Sequence, residues 1–102
     1  MALSINANNN TEIGVWEFKL VGEVDISNAH LFKKQLETAL AEARQSITID
    51  LAELNYIDST GFGVIMGTYT SIKNDGLKIQ VLNPKDNVKK LLNVTGMDKI
   101  LS

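Results

Sequence analysis

Cysteine is absent from this chain, and proline and histidine occur once each, at Pro84 and His30. The missing thiol excludes disulfides, thiolate catalysis and cysteine-held zinc together. His30 falls beside the apolar face of a helical pattern, where a surface or interhelical histidine is expected before a metal ligand or a triad base. Aromatics are scarce, at 6%. Positive charge has no excess, with 10 basic against 12 acidic residues, so no cationic stripe exists to track phosphates and no nucleic acid is expected as a partner. Long apolar runs are lacking, and Met1-Ala2-Leu3-Ser4 carries no charged leader. The expectation is therefore a soluble, cytoplasmic protein that does not enter a membrane. What is present is a 44% hydrophobic, aliphatic-rich chain of 102 residues, enough for one core and one domain over residues 1–102.

The apolar spacing orders the elements. Leu3, Ile5 and Ala7 alternate as a short edge strand, and Asn8-Asn9-Asn10 reads as a hairpin turn. Ile13, Val15, Phe18, Leu20 and Val21 make a second strand, ended by Gly22. Ala29, Phe32, Leu36, Ala39, Leu40 and Ala43 recur at helical spacing after a stretch rich in capping residues. The run Ile47 to Leu54 reads as a buried strand and its exit, and Phe62 to Ile72 as a helix closed by Asp75-Gly76. Leu77, Ile79, Val81 and Leu82 form a fourth strand. Asn83-Pro84 opens a third helix, Gly96 stops it, and Met97 to Leu101 adds a last apolar turn. Strands separated by helices imply right-handed crossovers. The fold expected is α/β, a four-stranded mixed sheet with helices packed mainly on one face. Asp25, Ser27, Asp50, Asp58, Ser59, Asn83 and Lys85 are expected near the rim where strands hand over to helices.

At that rim, Asp58-Ser59-Thr60-Gly61 draws attention because it joins a strand to a helix. Ser59 is expected at or beside the N-cap, its hydroxyl bonding an orphan N–H. Gly61 and Gly63 would leave the helix start bare and open to a large partner, and a helix N-terminus tolerates an added phosphate. Other chemistry fits less well. The carboxylates of Glu23, Asp25, Asp50, Glu53 and Asp58 invite a metal or acid–base reading, but loops and helix starts gather acidic residues as caps. Ile47-Thr48-Ile49-Asp50 has the form of a receiver-domain phosphoacceptor strand, yet the chain has too few parallel strands for that fold and Asn83-Pro84-Lys85 puts the lysine in the wrong order. Ser59 lacks a nucleophile elbow, and Gly61, Gly63 and Gly67 make no phosphate-cradling loop. Gly67 is expected to serve close helix packing, and Trp16 to pack on the sheet.

Gly22-Glu23-Val24-Asp25, Ile57-Asp58-Ser59-Thr60-Gly61 and Asn83-Pro84, taken together, resemble the STAS domain, and more narrowly the bacterial anti-sigma factor antagonists. Where that family commonly has Leu-Gly after the central motif, this chain has Phe62-Gly63. The resemblance implies a switch protein, not an enzyme, that needs no cofactor and is a monomer when free. Ser59 would be the phosphorylated residue, with Glu23, Asp25, Ser27, Asp58, Thr60, Gly61 and Phe62 meeting the partner. Unphosphorylated, it would bind an anti-sigma factor that is also a serine kinase and so release the sigma factor. Phosphorylation would end the complex, and a PP2C-like phosphatase would reset it. A non-switching scaffold, a subunit of a stress-signalling or lipid-transport assembly, and a small acid–base or phosphatase enzyme using Asp25, Asp50 and Asp58 stand as alternatives.

Overall fold

A computed structural model describes residues 2–96. The elements run β1 (Leu3–Asn10), β2 (Val15–Val24), α1 (Ala29–Glu42), β3 (Ser46–Ile57), α2 (Ser59–Ile72), β4 (Ile79–Leu82) and α3 (Asp86–Thr95), with a 3-10 turn at Lys73–Asp75. The sheet order is β1-β2-β3-β4. β1 and β2 pair antiparallel, whereas β2–β3 and β3–β4 are parallel, so the sheet is mixed as expected.

One face of the sheet carries the core. Trp16, Phe18 and Leu20 of β2 and Ile47, Ile49 and Leu51 of β3 point into a single cluster with Phe32 and Leu36 of α1, Phe62 and Ile65 of α2, and Val88 and Leu92 of α3. The alternate positions Glu17, Lys19, Thr48 and Asp50 are half-buried and polar, which leaves that face without helices. Burying an aliphatic or aromatic side chain contributes about 1.5–3 kcal/mol, so this cluster dominates the stability of the chain. Trp16 packs as expected, and its indole N–H donates to the Ala43 carbonyl at 2.7 Å, satisfying the C-terminal end of α1.

Three boundaries differ from the sequence reading. Asn8, Asn9 and Asn10 belong to β1 and pair with Glu17, Trp16 and Val15; the turn lies over Thr11 to Gly14. Their amides explain the shift, because Asn8 and Asn10 donate to the Glu17 carboxylate and Asn9 accepts from Gln45. β2 does not end at Gly22 but continues to Val24. Gly22 has φ +107°, and a Cβ there would lie 2.2 Å from the Ala2 carbonyl oxygen, so only glycine lets the start of β1 press this close. Pro84 is not in the first turn of α3. Asn83 takes a left-handed conformation (φ 54°), Lys85 is extended, and the helix starts at Asp86. Gly96 ends that helix in the left-handed conformation as expected, while the turn read over Met97 to Leu101 lies outside the described residues.

β3 is longer than its alternation suggests. Between Lys19↔Asp50 and Val21↔Glu53, and again between Gly22↔Leu54 and Glu23↔Tyr56, β3 holds one more residue than β2. Each extra residue is a β-bulge that turns the pleat. Leu51, Leu54 and Ile57, three apart, thereby all face the core at 0% exposure. The strand so reaches residue 57 and delivers Asp58 to the start of α2. Among the described residues no helix is long and apolar enough to cross a membrane.

Candidate functional site

The site is built where β2 and β3, adjacent and parallel, both end. Asp58 donates its N–H to the Val24 carbonyl at 3.2 Å, so the exits of the two strands are stitched together. Asp58 is extended (φ −101°, ψ −175°) and is itself the N-cap of α2. Its carboxylate accepts from the N–H groups of Thr60 (3.0 Å) and Gly61 (3.2 Å) and from the Thr60 hydroxyl, and its carbonyl accepts from Phe62 N–H at 3.1 Å. Ser59 is therefore the first helical residue and not the cap expected from sequence. Asp58 takes the role because its extended backbone aims Oδ1 at the first free amides of the helix, all three contacts falling on that one oxygen.

That division of labour sets the chemistry. Ser59 is exposed, and among the described residues its hydroxyl has no hydrogen-bond partner. The Thr60 hydroxyl is occupied by Asp58. Of the amides at the helix start, Asp58 already holds three through its side chain and carbonyl, so an anion on Ser59 gains from the dipole more than from free N–H groups.

The β2–α1 loop supplies the other wall. Asp25 accepts from Ser27 N–H at 2.9 Å and from the Ser27 hydroxyl at 2.5 Å. The Ser27 hydroxyl, then its N–H, holds the Asp25 carboxyl below the ordinary carboxylate range, against partial desolvation and the charge of Asp58. The Thr60 hydroxyl lowers Asp58 in the same way, against desolvation, with help from the N–H groups of Gly61, Thr60 and Ile26. The exit of β2 and the cap of α2 thus adjoin, joined by the Asp58 N–H bond to the Val24 carbonyl. Both acids are depressed, so their stabilising bonds are complete above the ordinary range near pH 4 and fade as pH falls through and below it. Asp58→Asn keeps an acceptor without the titration. Urea unfolding at pH 7 and at about pH 3 is expected to show a smaller acid loss for this variant than for wild type. Equal losses would remove Asp58 from the acid response.

The structure brings Asp25, Ser27, Asp58, Ser59 and Thr60 together, with Glu23 half-buried near the end of β2. Gly61 and Phe62 lie underneath. Gly61 is buried, and the Phe62 ring is 2% exposed, so both shape the site from below and neither offers its surface freely to a partner. Gly61 does not bare the helix start as expected; its missing Cβ makes room for Ile57 and Val24. Gly63 meets the expectation, since a Cβ there would touch nothing within 4 Å. Gly67 does not serve close packing, because it too is open and lines a shallow groove between α1 and α2 with Lys33, Glu37 and Thr60. The remaining acids do not converge. Glu53 pairs with Lys19 at 2.5 Å, and Asp50 accepts from Ala52 N–H and from Asn83. Among the described residues no three His, Cys, Asp or Glu side chains are placed to hold a metal. Lys85 donates to Asn55, also away from Ser59.

Sequence reasoning missed Asn28. It precedes α1 yet makes no side-chain cap; its buried amide accepts from Asp25 N–H (2.9 Å) and donates to the Glu23 carbonyl (3.0 Å). Nothing in the pattern of capping residues distinguishes such a loop tie from a helix cap.

Comparison with known proteins agrees with this geometry. The STAS domain family profile matches residues 4–102. The anti-sigma-B factor antagonist of Bacillus subtilis (strain 168) is 31% identical over 85 residues, 83% of this chain and 77% of that protein. The Thermotoga maritima protein TM1081 is 28% identical and superposes with a TM-score of 0.87 over 96% of this chain and 83% of that one. The anti-sigma factor antagonist SpoIIAA, in its unphosphorylated form, shares the fold at 21% identity and TM-score 0.85, over 97% of this chain and 86% of its own. The chain belongs to the STAS domain family, and its relatives include anti-sigma factor antagonists.

Proposed function

We propose that this chain is an anti-sigma factor antagonist switched by phosphorylation of Ser59. Unphosphorylated, it binds an anti-sigma factor that is also a serine kinase, and the sigma factor is released. The kinase then transfers the γ-phosphoryl group of ATP. A bond forms between Ser59 Oγ and the γ-phosphorus, the bond to the bridging oxygen of ADP breaks, and the hydroxyl proton passes to a base on the kinase. A PP2C-like phosphatase returns the serine by hydrolysis. In this reading the chain is a binding protein and performs no chemistry itself. Glu23, Asp25, Ser27, Asp58 and Thr60 frame the contact, with Gly61 and Phe62 beneath it.

The observation that carries this reading is the exposed, uncommitted hydroxyl at the first position of α2, flanked by two ionised carboxylates. The names of the relatives support it, since one antagonises an anti-sigma-B factor and SpoIIAA is known in both phosphorylated and unphosphorylated forms.

The test is phosphorylation by a purified anti-sigma kinase with ATP, mapped by mass spectrometry. Phosphate is expected on Ser59 alone, because the Thr60 hydroxyl is engaged by Asp58. Ser59→Ala should abolish incorporation and change the unfolding free energy by less than about 0.5 kcal/mol, since Ser59 is not the cap. Incorporation into Thr60 of the wild-type chain, or a large loss of stability in Ser59→Ala, contradicts this account of the site.

A further inference from the structure

Among the described residues the most exposed large apolar side chain is Ile26, at 79%. Single exposed aliphatics are ordinary on protein surfaces. This one differs in how it is held and where it stands. Three N–H groups of its loop, on both sides of Ile26, have partners: Asp25 N–H donates to Asn28 Oδ1, Ser27 N–H to Asp25 Oδ1, and Asn28 N–H to the Asp25 carbonyl at 3.1 Å. The Asn28 amide closes the loop from below through the Glu23 carbonyl. A loop bonded on both sides of Ile26 fixes its backbone before any partner arrives, and a β-branched side chain has few χ1 choices left. The Asp58 N–H donates to the carbonyl of Val24, two residues before Ile26, so the loop leaves the sheet next to the cap of the helix that begins at Ser59.

We propose that Ile26 is a prepositioned apolar contact that selects the partner, and that the anti-sigma kinase presents an apolar pocket next to the cleft receiving Ser59. Ordering a mobile side chain or loop on binding costs affinity, and the bonded loop removes most of that cost. The charged and polar residues around Ser59 orient the partner, while Ile26 supplies apolar area that none of them has. This inference rests on the switch reading.

The experiment uses the full chain and the purified anti-sigma kinase that phosphorylates it on Ser59. Calorimetry gives Kd for the unphosphorylated complex, and steady-state phosphorylation gives KM. Ile26→Ser is expected to raise Kd about ten- to a hundredfold, with a parallel rise in KM and an unchanged melting temperature. Ile26→Leu should stay within about threefold of wild type, since it keeps the apolar bulk. Ile26→Ser binding within twofold of wild type overturns the proposal. Equal weakening in Ile26→Ser and Ile26→Leu also overturns it, by assigning the effect to loop conformation. If no anti-sigma kinase phosphorylates Ser59, the switch reading itself fails and this inference falls with it. Normal phosphorylation with an indifferent Ile26 sinks the inference alone.

Discussion

Chain phosphorylated on Ser59 is expected to bind its anti-sigma partner about a thousandfold more weakly than unphosphorylated chain, a loss of about 4 kcal/mol. Its circular dichroism spectrum should be unchanged and its melting temperature should move by only a few degrees. The two halves of this expectation have separate causes. Within the free chain, a phosphate of about −1.5 to −2 charges sits at the positive end of α2, which favours an anion by about 0.3–1 kcal/mol. Asp58 and Asp25 oppose that gain, because their carboxyls are held ionised by the hydroxyls of Thr60 and Ser27. Ser59 is exposed, so solvent screens both terms and the fold barely registers the change. In the complex the screening is lost. A dianion pressed against a partner beside two carboxylates must be desolvated without a compensating cation, which costs several kcal/mol. Ser59→Asp should fall between the two states, with one charge where phosphate has nearly two. Calorimetric titration of enzymatically phosphorylated chain checks the affinity, and a thermal melt checks the fold. Wild-type affinity after phosphorylation defeats the charge argument. A melted or rearranged chain would mean that the switch works through shape.

Much of this was legible in the sequence, and the parts that were not share a physical reason. Period-3.6 spacing located α1 and its inward face, because that helix buries one side regularly. For β2 the spacing found the strand but only Phe18 and Leu20 of its inward face; Val15 and Val21 are half-buried and Ile13 lies exposed in the turn. The second half of β3 escaped, since its bulges place Leu51, Leu54 and Ile57 on one face at a spacing that is neither. The motif around Ser59 named the right neighbourhood, but the roles within it depend on which side chain reaches which amide. Asp58, Ser59 and Thr60 can each cap a helix by type. Only the extended backbone of Asp58 decides that it does so and leaves Ser59 open. Asn28 is similar, as an N-cap by type and a loop tie by geometry. Sequence spacing reports periodic burial, while hydrogen-bond partnership within a loop is set by tertiary approach.

The two glycines at the start of α2 give the sharpest test of that geometry, because they look alike in sequence and are expected to respond in opposite directions. A Cβ on Gly61 would lie 2.6 Å from Ile57 Cγ1, 2.8 Å from Val24 Cγ1 and 2.9 Å from Ile57 Cδ1. Both of those side chains are fully buried in the core. Gly61→Ala therefore over-packs the junction of β2, β3 and α2 and should destabilise the chain by about 1–3 kcal/mol. The same shift lifts the first turn of α2, so phosphorylation of Ser59 should slow even in molecules that stay folded. Gly63 lies two residues on, with nothing within 4 Å of where its Cβ would be. There Gly63→Ala only removes backbone freedom from the unfolded chain and should stabilise the helix by up to about 1 kcal/mol. Urea melts of both variants measure the contrast. Two stabilised variants would mean that α2 does not rest on Val24 and Ile57 as closely as the structure places it. Two destabilised variants would mean that the outer face of α2 around Gly63 is covered in the free protein.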